Sequence, residues 1–478
     1  MAKIIYPLFS LLIMVSLVHA QSGVVRSENT SVNSPRGIYP SDAHFAPVAL
    51  QHTECIPDDQ RAIALERIAE NKKQILANNP NALRQTKKDV SFILPIQAKE
   101  GFDDYGYYTL NFQVDHNLTP NNNLTDYHCG QRTYDWSNGN HEGSDYILWP
   151  YPWKSMQEEV MEIVAAAAGT IIDKRDGFFD MNCSNTGNPN WNGIVLEHAD
   201  GSQTWYWHFK NGAITDKEIG DSVEAGEYLG AAGSSGSSNW PHLHFEVHNS
   251  DGDLIDPYAG SCNNMNAESW WAEQPDYNIP TINRLSTHYT TAFDEDCPEI
   301  ENTYEEVNFN PGDLLVIRLF FRDIQANDPV HITVFDPDEN IYSEWTWNQN
   351  WGQDYATALA YWQFDVTTAW PEGIYNIVAD FGGNTYETEF GVGTTIGIEK
   401  HEALSVEIFP NPVGDYFNFN AETPVEHITV SDVYGHVTID VMADERSGNI
   451  DTRSLKNGVY FVRFQINGSI VTEKIVKE

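Results

Sequence analysis

The chain has 478 residues, with 27 Lys+Arg against 69 Asp+Glu, a formal net charge of −42 and a sequence pI near 4.5. That acidity excludes a general nucleic-acid binder, which needs clustered Lys and Arg for phosphates, and it disfavours attraction to an anionic bilayer. With 41% hydrophobic and 12% aromatic residues the chain has enough apolar material for real cores, and its length suggests about three domains.

In chain order, residues 1–20 place one Lys ahead of an apolar run from Ile4 to Val18 and end on Ala20, the pattern of a secretory signal cleaved after Ala20. A membrane anchor is the weaker reading, because the run is interrupted and ends in a cleavage-like site, and no later stretch approaches a span. Residues 21–95 read as a leader or pro-segment. Its first part, to about 55, is rich in Ser, Asn and Pro. Ile63, Leu65, Ile68, Ala69, Ile75 and Leu76 then recur at helical spacing and predict an amphipathic helix over 57–78. Asp58 or Asp59 is expected to cap it, and Asn79-Pro80 to end it.

Residues 96–275 are β-like, with short apolar runs such as TWYWHF and HLHFEV between Gly, Asn and Asp turns. Residues 280–395 alternate as a β-sandwich and hold twenty acidic and three basic residues between Thr281 and Phe390. Residues 404–478 form a last β-rich module. The expected fold is mainly β: an antiparallel β catalytic block, a β-sandwich and a small Ig-like β-sandwich. Export makes disulfides the first expectation for Cys55, Cys129, Cys183, Cys262 and Cys297. The expected pairs are Cys129 with Cys183 and Cys262 with Cys297, leaving Cys55 over.

The chemistry-bearing residues are histidines in three segments: GNHEGSDY with His141 and Asp145, TWYWHF with His208, and PHLHFEV with His242 and His244. On a strand, alternation puts His242, His244 and Glu246 on one face and Leu243, Phe245 and Val247 on the other. The same period predicts that Tyr206 and His208 share a face. Two imidazoles and one carboxylate, His141, Asp145 and His244, would make a three-ligand zinc site with one open position, leaving His242 and His208 for proton transfer. Alone, HxxxD is usually a local hydrogen bond, and His208 among aromatics a satisfied core histidine; the three segments together raise the odds. The chain has no HExxH.

The segments NHEGSDY, AAAAGTIID, TWYWHF and SSGSSNWPHLHFEV resemble the motifs of lysostaphin-type zinc metalloendopeptidases, the LytM or β-lytic peptidase family, over roughly 125–260. The resemblance implies an open zinc groove on an antiparallel sheet and one Zn2+ per catalytic domain. It also implies His141, Asp145 and His244 as ligands, with His208 and His242 as the catalytic pair. It implies hydrolysis of peptides in bacterial peptidoglycan. The Gly-rich turn GAAGSSGSSNW is expected to let backbone approach the cleft, and the aromatic insert ILWPYPWKSM after Asp145 to reshape it. VEIFPNPVGDYFNF, ITVSDVYGHV and SLKNGVYFVRF with the terminal EKIVKE resemble the sorting domain of the type IX secretion system. That implies passage through periplasm and outer membrane to a secreted or cell-surface location, with the secretion machinery as partner.

The leading expectation is thus a secreted zinc endopeptidase with no nucleic-acid partner and no stable membrane span. Its substrate is peptidoglycan stem peptides or cross-bridges, or else Gly-rich extracellular protein. The alternative is a non-catalytic surface binding protein using Trp345, Trp347, Trp351 and Trp362, although sandwich core is the favoured reading of those tryptophans. The leader with its helix is expected to cover the cleft until removed.

Overall fold

The computed structural model describes residues 56–477, apart from 86–89, 118, 120–122, 137–138, 184–188, 294–296, 298–299, 396–405, 433–436, 457 and 467–468. The expected signal at 1–20, the Ser- and Pro-rich leader and Cys55 lie outside the described residues. The chain divides into two compact units, one up to residue 395 and one from 396. Among the described residues no helix is long and apolar enough to cross a membrane.

The first unit begins with helix α1, Asp58–Asn78. Pro57 stands at its N-cap position, and neither Asp58 nor Asp59 caps it by a side-chain bond; both sit in the first turn, where carboxylates favour the positive end of the helix. The buried stripe is Gln60, Ala64, Ile68 and Ile75, whereas Ile63, Leu65 and Leu76 are exposed. The expected apolar face is therefore only partly the packed one. Helical spacing alone allows several stripes, and ion pairs to the sheet below select the stripe that faces it.

An eight-stranded antiparallel sheet carries the site. Its order is Ser222–Val223, Gly169–Arg175, Gly193–His198, Gln203–Trp207, His242–His248, Ser144–Leu148 and Tyr108–Phe112, with Leu254–Ile255 also on His242–His248. One neighbour pairs with His242–Phe245 and the other with His244–His248, so together they hold the strand over its length, and HLHFEV is buried throughout. One face, with Leu243, Phe245, Tyr206, Ile194 and Leu196, packs into the main core beside a four-stranded sheet of Ile96–Ala98, Met161–Val164, Tyr228–Ala232 and Phe209–Ile214. The core reaches upstream to Phe92, which bridges to Trp271. Leu243 is wholly buried there. Leu243→Ala should lower stability by about 2–5 kcal/mol, the usual cost of truncating a core Leu, read as a shift in the denaturant midpoint.

Residues 281–392 build two further sheets. Thr281–His288, Leu314–Ile324 and Tyr355–Asp365 form one. The other holds Asn308–Phe309, Asn384–Val392, Gly373–Phe381, Pro329–Phe335 and Ile341–Asn348. Trp345, Trp347 and Trp362 are buried, and the first two each contact Trp362, while half-buried Trp351 edges onto Trp347. The binding surface imagined for these tryptophans is largely sandwich core, because alternation turns Trp345 and Trp347 inward together. The aromatic insert packs at a seam with this sandwich. Trp149 and Tyr151 meet Phe320 and Leu359, and the Asn283 amide donates to the Tyr108 and Trp149 carbonyls at 2.9 and 3.0 Å. Its aromatic side chains thus join two β-layers, and Trp240 of the Gly-rich turn packs against them.

The disulfides are Cys129–Cys262 and Cys183–Cys297, with Cα separations of 5.2 and 5.7 Å. The expected pairing is incorrect. The Cys262 amide donates to the Tyr127 carbonyl at 3.0 Å, which brings Cys262 beside Cys129, a neighbour that spacing cannot reveal.

The second unit is a five-stranded antiparallel module. The long strand Tyr416–Asp432 pairs with Val406–Phe409, Val437–Asp451 and Gly458–Ile466, and Ser469–Lys477 closes against the last of these. Val413, Phe417, Phe419, Ile428, Val430, Val462 and Phe464 fill its core.

Candidate metal centre

The site grows from cross-strand register. His244 lies opposite Asp145 on one neighbouring strand and opposite Trp207 on the other. Directly opposed residues point to the same side, so His244, Asp145 and Trp207 share a face. His141 enters from the hairpin Asp135–Trp136 and Gly139–Asn140. Gly143 lets that segment close over the strand, because a Cβ there would lie 2.7 Å from His244 Cε1 and 2.8 Å from the Phe245 carbonyl oxygen.

His141, Asp145 and His244 are all buried, and one ligand atom from each lies within 4.8 Å of the others. His244 Nδ1 is 2.7 Å from Asp145 Oδ1, His141 Nε2 is 3.1 Å from Asp145 Oδ2, and the two nitrogens are 3.3 Å apart. The outer nitrogens set the tautomers. His141 Nδ1 is 2.7 Å from the Gln113 carbonyl, which can only accept, so Nδ1 carries the proton. His244 Nε2 is 2.9 Å from Glu246 Oε1. Burial pushes Glu246 up, but Arg61, His244 and His248 outweigh it and hold the carboxyl well below its usual range, so it too accepts. In neutral rings, His141 Nε2 and His244 Nδ1 then turn lone pairs toward a carboxylate. That is mutually repulsive unless a cation or a proton lies between them. Burial likewise pushes Asp145 up, and the histidines around it reverse this and hold it well below the usual carboxylate range.

His208 and His242 stand beside this group. Their ring centroids are 4.5 Å apart, and His242 Nε2 is 3.8 Å from Asp145 Oδ1. The Gly-rich turn orients both: His208 Nδ1 donates to the Ser235 carbonyl at 2.6 Å and His242 Nδ1 to the Trp240 carbonyl at 2.7 Å. Each ring therefore offers Nε2 for proton exchange. The prediction that His208 shares a face with Tyr206 fails. Tyr206 points into the core, where its hydroxyl accepts from the Ala166 amide, while His208 adopts a φ of 71°. That left-handed residue breaks the alternation and carries His208 to the side of His242.

Three contributors have no role in the expected constellation. Glu246 was placed on the right face by alternation, yet its support of His244 depends on rotamer and burial. Gln113 and Arg61 carry no local signal at all. Partners that fix a ligand histidine typically matter 10–100-fold for metal affinity. Glu246→Gln should thus weaken metal binding about tenfold or more, read by titration against a competing chelator with the melting temperature as control.

Residues 155–257 match the family model described as Peptidase family M23. The chain carries an M23 metallopeptidase domain of the lysostaphin/LytM type. The match includes His208, His242 and His244 and begins downstream of His141 and Asp145. Residues 407–478 match the secretion system C-terminal sorting domain, so the chain also carries a type IX sorting domain, which indicates secretion to the cell surface or the extracellular space. Among solved structures, the catalytic domain of the antimicrobial peptidase lysostaphin from Staphylococcus simulans is 23% identical, over 34% of this chain and 89% of that one, with a TM-score of 0.19. A prophage-encoded M23 protein catalytic domain from Enterococcus faecalis is 21% identical, over 29% and 95%, with a TM-score of 0.20. A zinc-containing peptidase from Vibrio cholerae is 21% identical, over 34% and 41%, with a TM-score of 0.19.

Proposed function

We propose that this protein is a secreted zinc endopeptidase that hydrolyses peptide bonds in bacterial peptidoglycan, in stem peptides or cross-bridges. The observation that carries the reading is the convergence of His141 Nε2, Asp145 and His244 Nδ1 on one point, with His208 and His242 alongside. A tetrahedral zinc site with Zn–N of about 2.0–2.1 Å has edges of about 3.3 Å, and the two nitrogens are 3.3 Å apart. Two neutral nitrogens and one carboxylate also leave a net positive charge and an open fourth position, the donor set of a hydrolytic site. His141, Asp145 and His244 are the ligands in this proposal.

When bound, the cation supplies Lewis acidity toward a scissile carbonyl and acidifies water. The protein supplies the proton handling. His208 and His242 are pinned through Nδ1, so Nε2 of a neutral ring accepts the proton of the attacking water, and Nε2–H of a charged ring donates to the developing oxyanion or the departing amine. Asp145, buried and ionised, holds the ligand rings in place.

The domain division proposed with this function is a signal at 1–20, a leader at 21–95, the peptidase at 96–275, the acidic sandwich at 280–395 and the sorting domain at 404–478. The mature protein incubated with purified cell walls should release peptide fragments with new amino termini, in a reaction stopped by a chelator. Cleavage of a Gly-rich protein with no release from walls would overturn the peptidoglycan assignment and leave the endopeptidase.

A further inference from the structure

The sheet face that carries His244 continues away from the metal group as Glu246, Trp207, Trp205 and Val195, each opposed in register to the next strand. Helix α1 lies across this face. Ile56, Ala64, Ile68 and Ile75 pack against Ile172, Trp191, Val195, Trp205 and Trp207. Around this apolar floor, cations of α1 meet carboxylates of the sheet. Arg61 makes a two-pronged bond to Glu246 at 2.8 and 2.9 Å, pairs with Glu142, and lies 5.7 Å over the Trp205 ring. Arg67 makes a second fork to Asp173 at 2.7 and 3.3 Å, and Lys72 pairs with Glu197. The Arg61 end is the one at the metal group, since Glu142 follows His141 in the chain and Glu246 supports His244.

The burial of these carboxylates is informative. Asp173, Glu246 and Glu197 are 0%, 1% and 5% exposed. A buried carboxylate without a cation is strongly unfavourable. Glu246 also meets His244 and His248 at 2.9 Å, whereas Asp173 and Glu197 pair with Arg67 and Lys72 of α1, so a cover that brings positive charge with its apolar contacts is favoured here. A neutral or acidic chain lying here would strip the carboxylates of water and return nothing, which rejects it. Tryptophan rings also suit the aliphatic stems and charged heads of Lys and Arg.

We propose that this tryptophan-floored, acid-rimmed face is the groove in which a polypeptide with cationic side chains lies on its way to the metal group, and that α1 occupies it in the intact chain. The purpose assigned to the groove rests on the peptidase reading above; its charge preference does not. The test uses the full chain freed of metal by a chelator, so that binding is read without hydrolysis. The probes are fluorescent dodecapeptides of alternating Gly–Lys or Gly–Glu. In the unmutated chain, excess Gly–Lys peptide should speed hydrogen exchange of the α1 amides, and Gly–Glu should not. The Arg61→Ala/Arg67→Ala chain should bind Gly–Lys about tenfold more tightly than the unmutated chain, with the gain lost at high salt. Equal behaviour of the two peptides, or α1 exchange that Gly–Lys leaves unchanged, overturns the proposal. If the double variant does not fold, the exchange experiment on the unmutated chain decides alone. A chain that binds Gly–Lys here yet never cleaves peptides when reloaded with zinc keeps the groove and overturns the peptidase reading; the reverse result does the opposite.

Discussion

His244→Ala should abolish bound metal and, with it, peptide hydrolysis. The substitution removes the nitrogen that faces His141 Nε2 and Asp145, and leaves two donors where three converge. It also leaves the Glu246 carboxylate without the ring N–H that it accepts from. Lewis acidity and water activation are worth several kcal/mol of barrier, so the rate should fall roughly a thousandfold or more. Metal content by elemental analysis and the rate on a chosen peptide are measured on the same preparation. Chelator-sensitive cleavage that persists in the variant would remove His244 from the ligand set.

The companion variant, His208→Ala, should behave differently. Its ring touches His242 and the Ser235 carbonyl, and its centroid is 6.0 Å from that of His244. Bound metal should therefore stay near one per chain, while the rate falls by about 10²–10⁴, the usual contribution of a positioned acid or base. His208 is wholly buried, so a melting curve must accompany the assay to show that the fold survives. Loss of metal together with activity in a folded variant would make His208 a ligand and overturn its assignment as a proton carrier. The contrast between the two variants separates holding the cation from moving protons.

The candidate site was legible unevenly. His242 and His244 could be placed on one face directly from HLHFEV, because successive side chains of an extended backbone must point to opposite sides. Asp145 could be named as a partner but not located; its place opposite His244 comes from strand register, set by hydrogen bonds between segments a hundred residues apart. His208 was named as part of the constellation but put on the face of Tyr206, whereas the structure brings it beside His242, since a single left-handed residue cannot be seen in a polar–apolar pattern. Helix α1 was legible as a helix and its buried stripe only in part, because the ion pairs that select the stripe lie on the sheet. The tryptophans of the sandwich agree with the favoured reading of them as core. Alternation already implied that Trp345 and Trp347 point the same way, and only the second sheet shows that this way is inward.

What the sequence by itself determined is everything that depends on bonded neighbours: the β texture, the helix near residue 58, the turn residues, and the shared face of the HxH pair. It also carried the motif resemblances, because those segments hold their residues at short, fixed spacings. The tertiary structure alone decided the cysteine partners, the position of His208, the support of His244 by Glu246, and the covering of the tryptophan face by α1. Those features depend on which distant segments pack together. Burial then changes the cost of each charge, and so determines which carboxylates require a cation beside them.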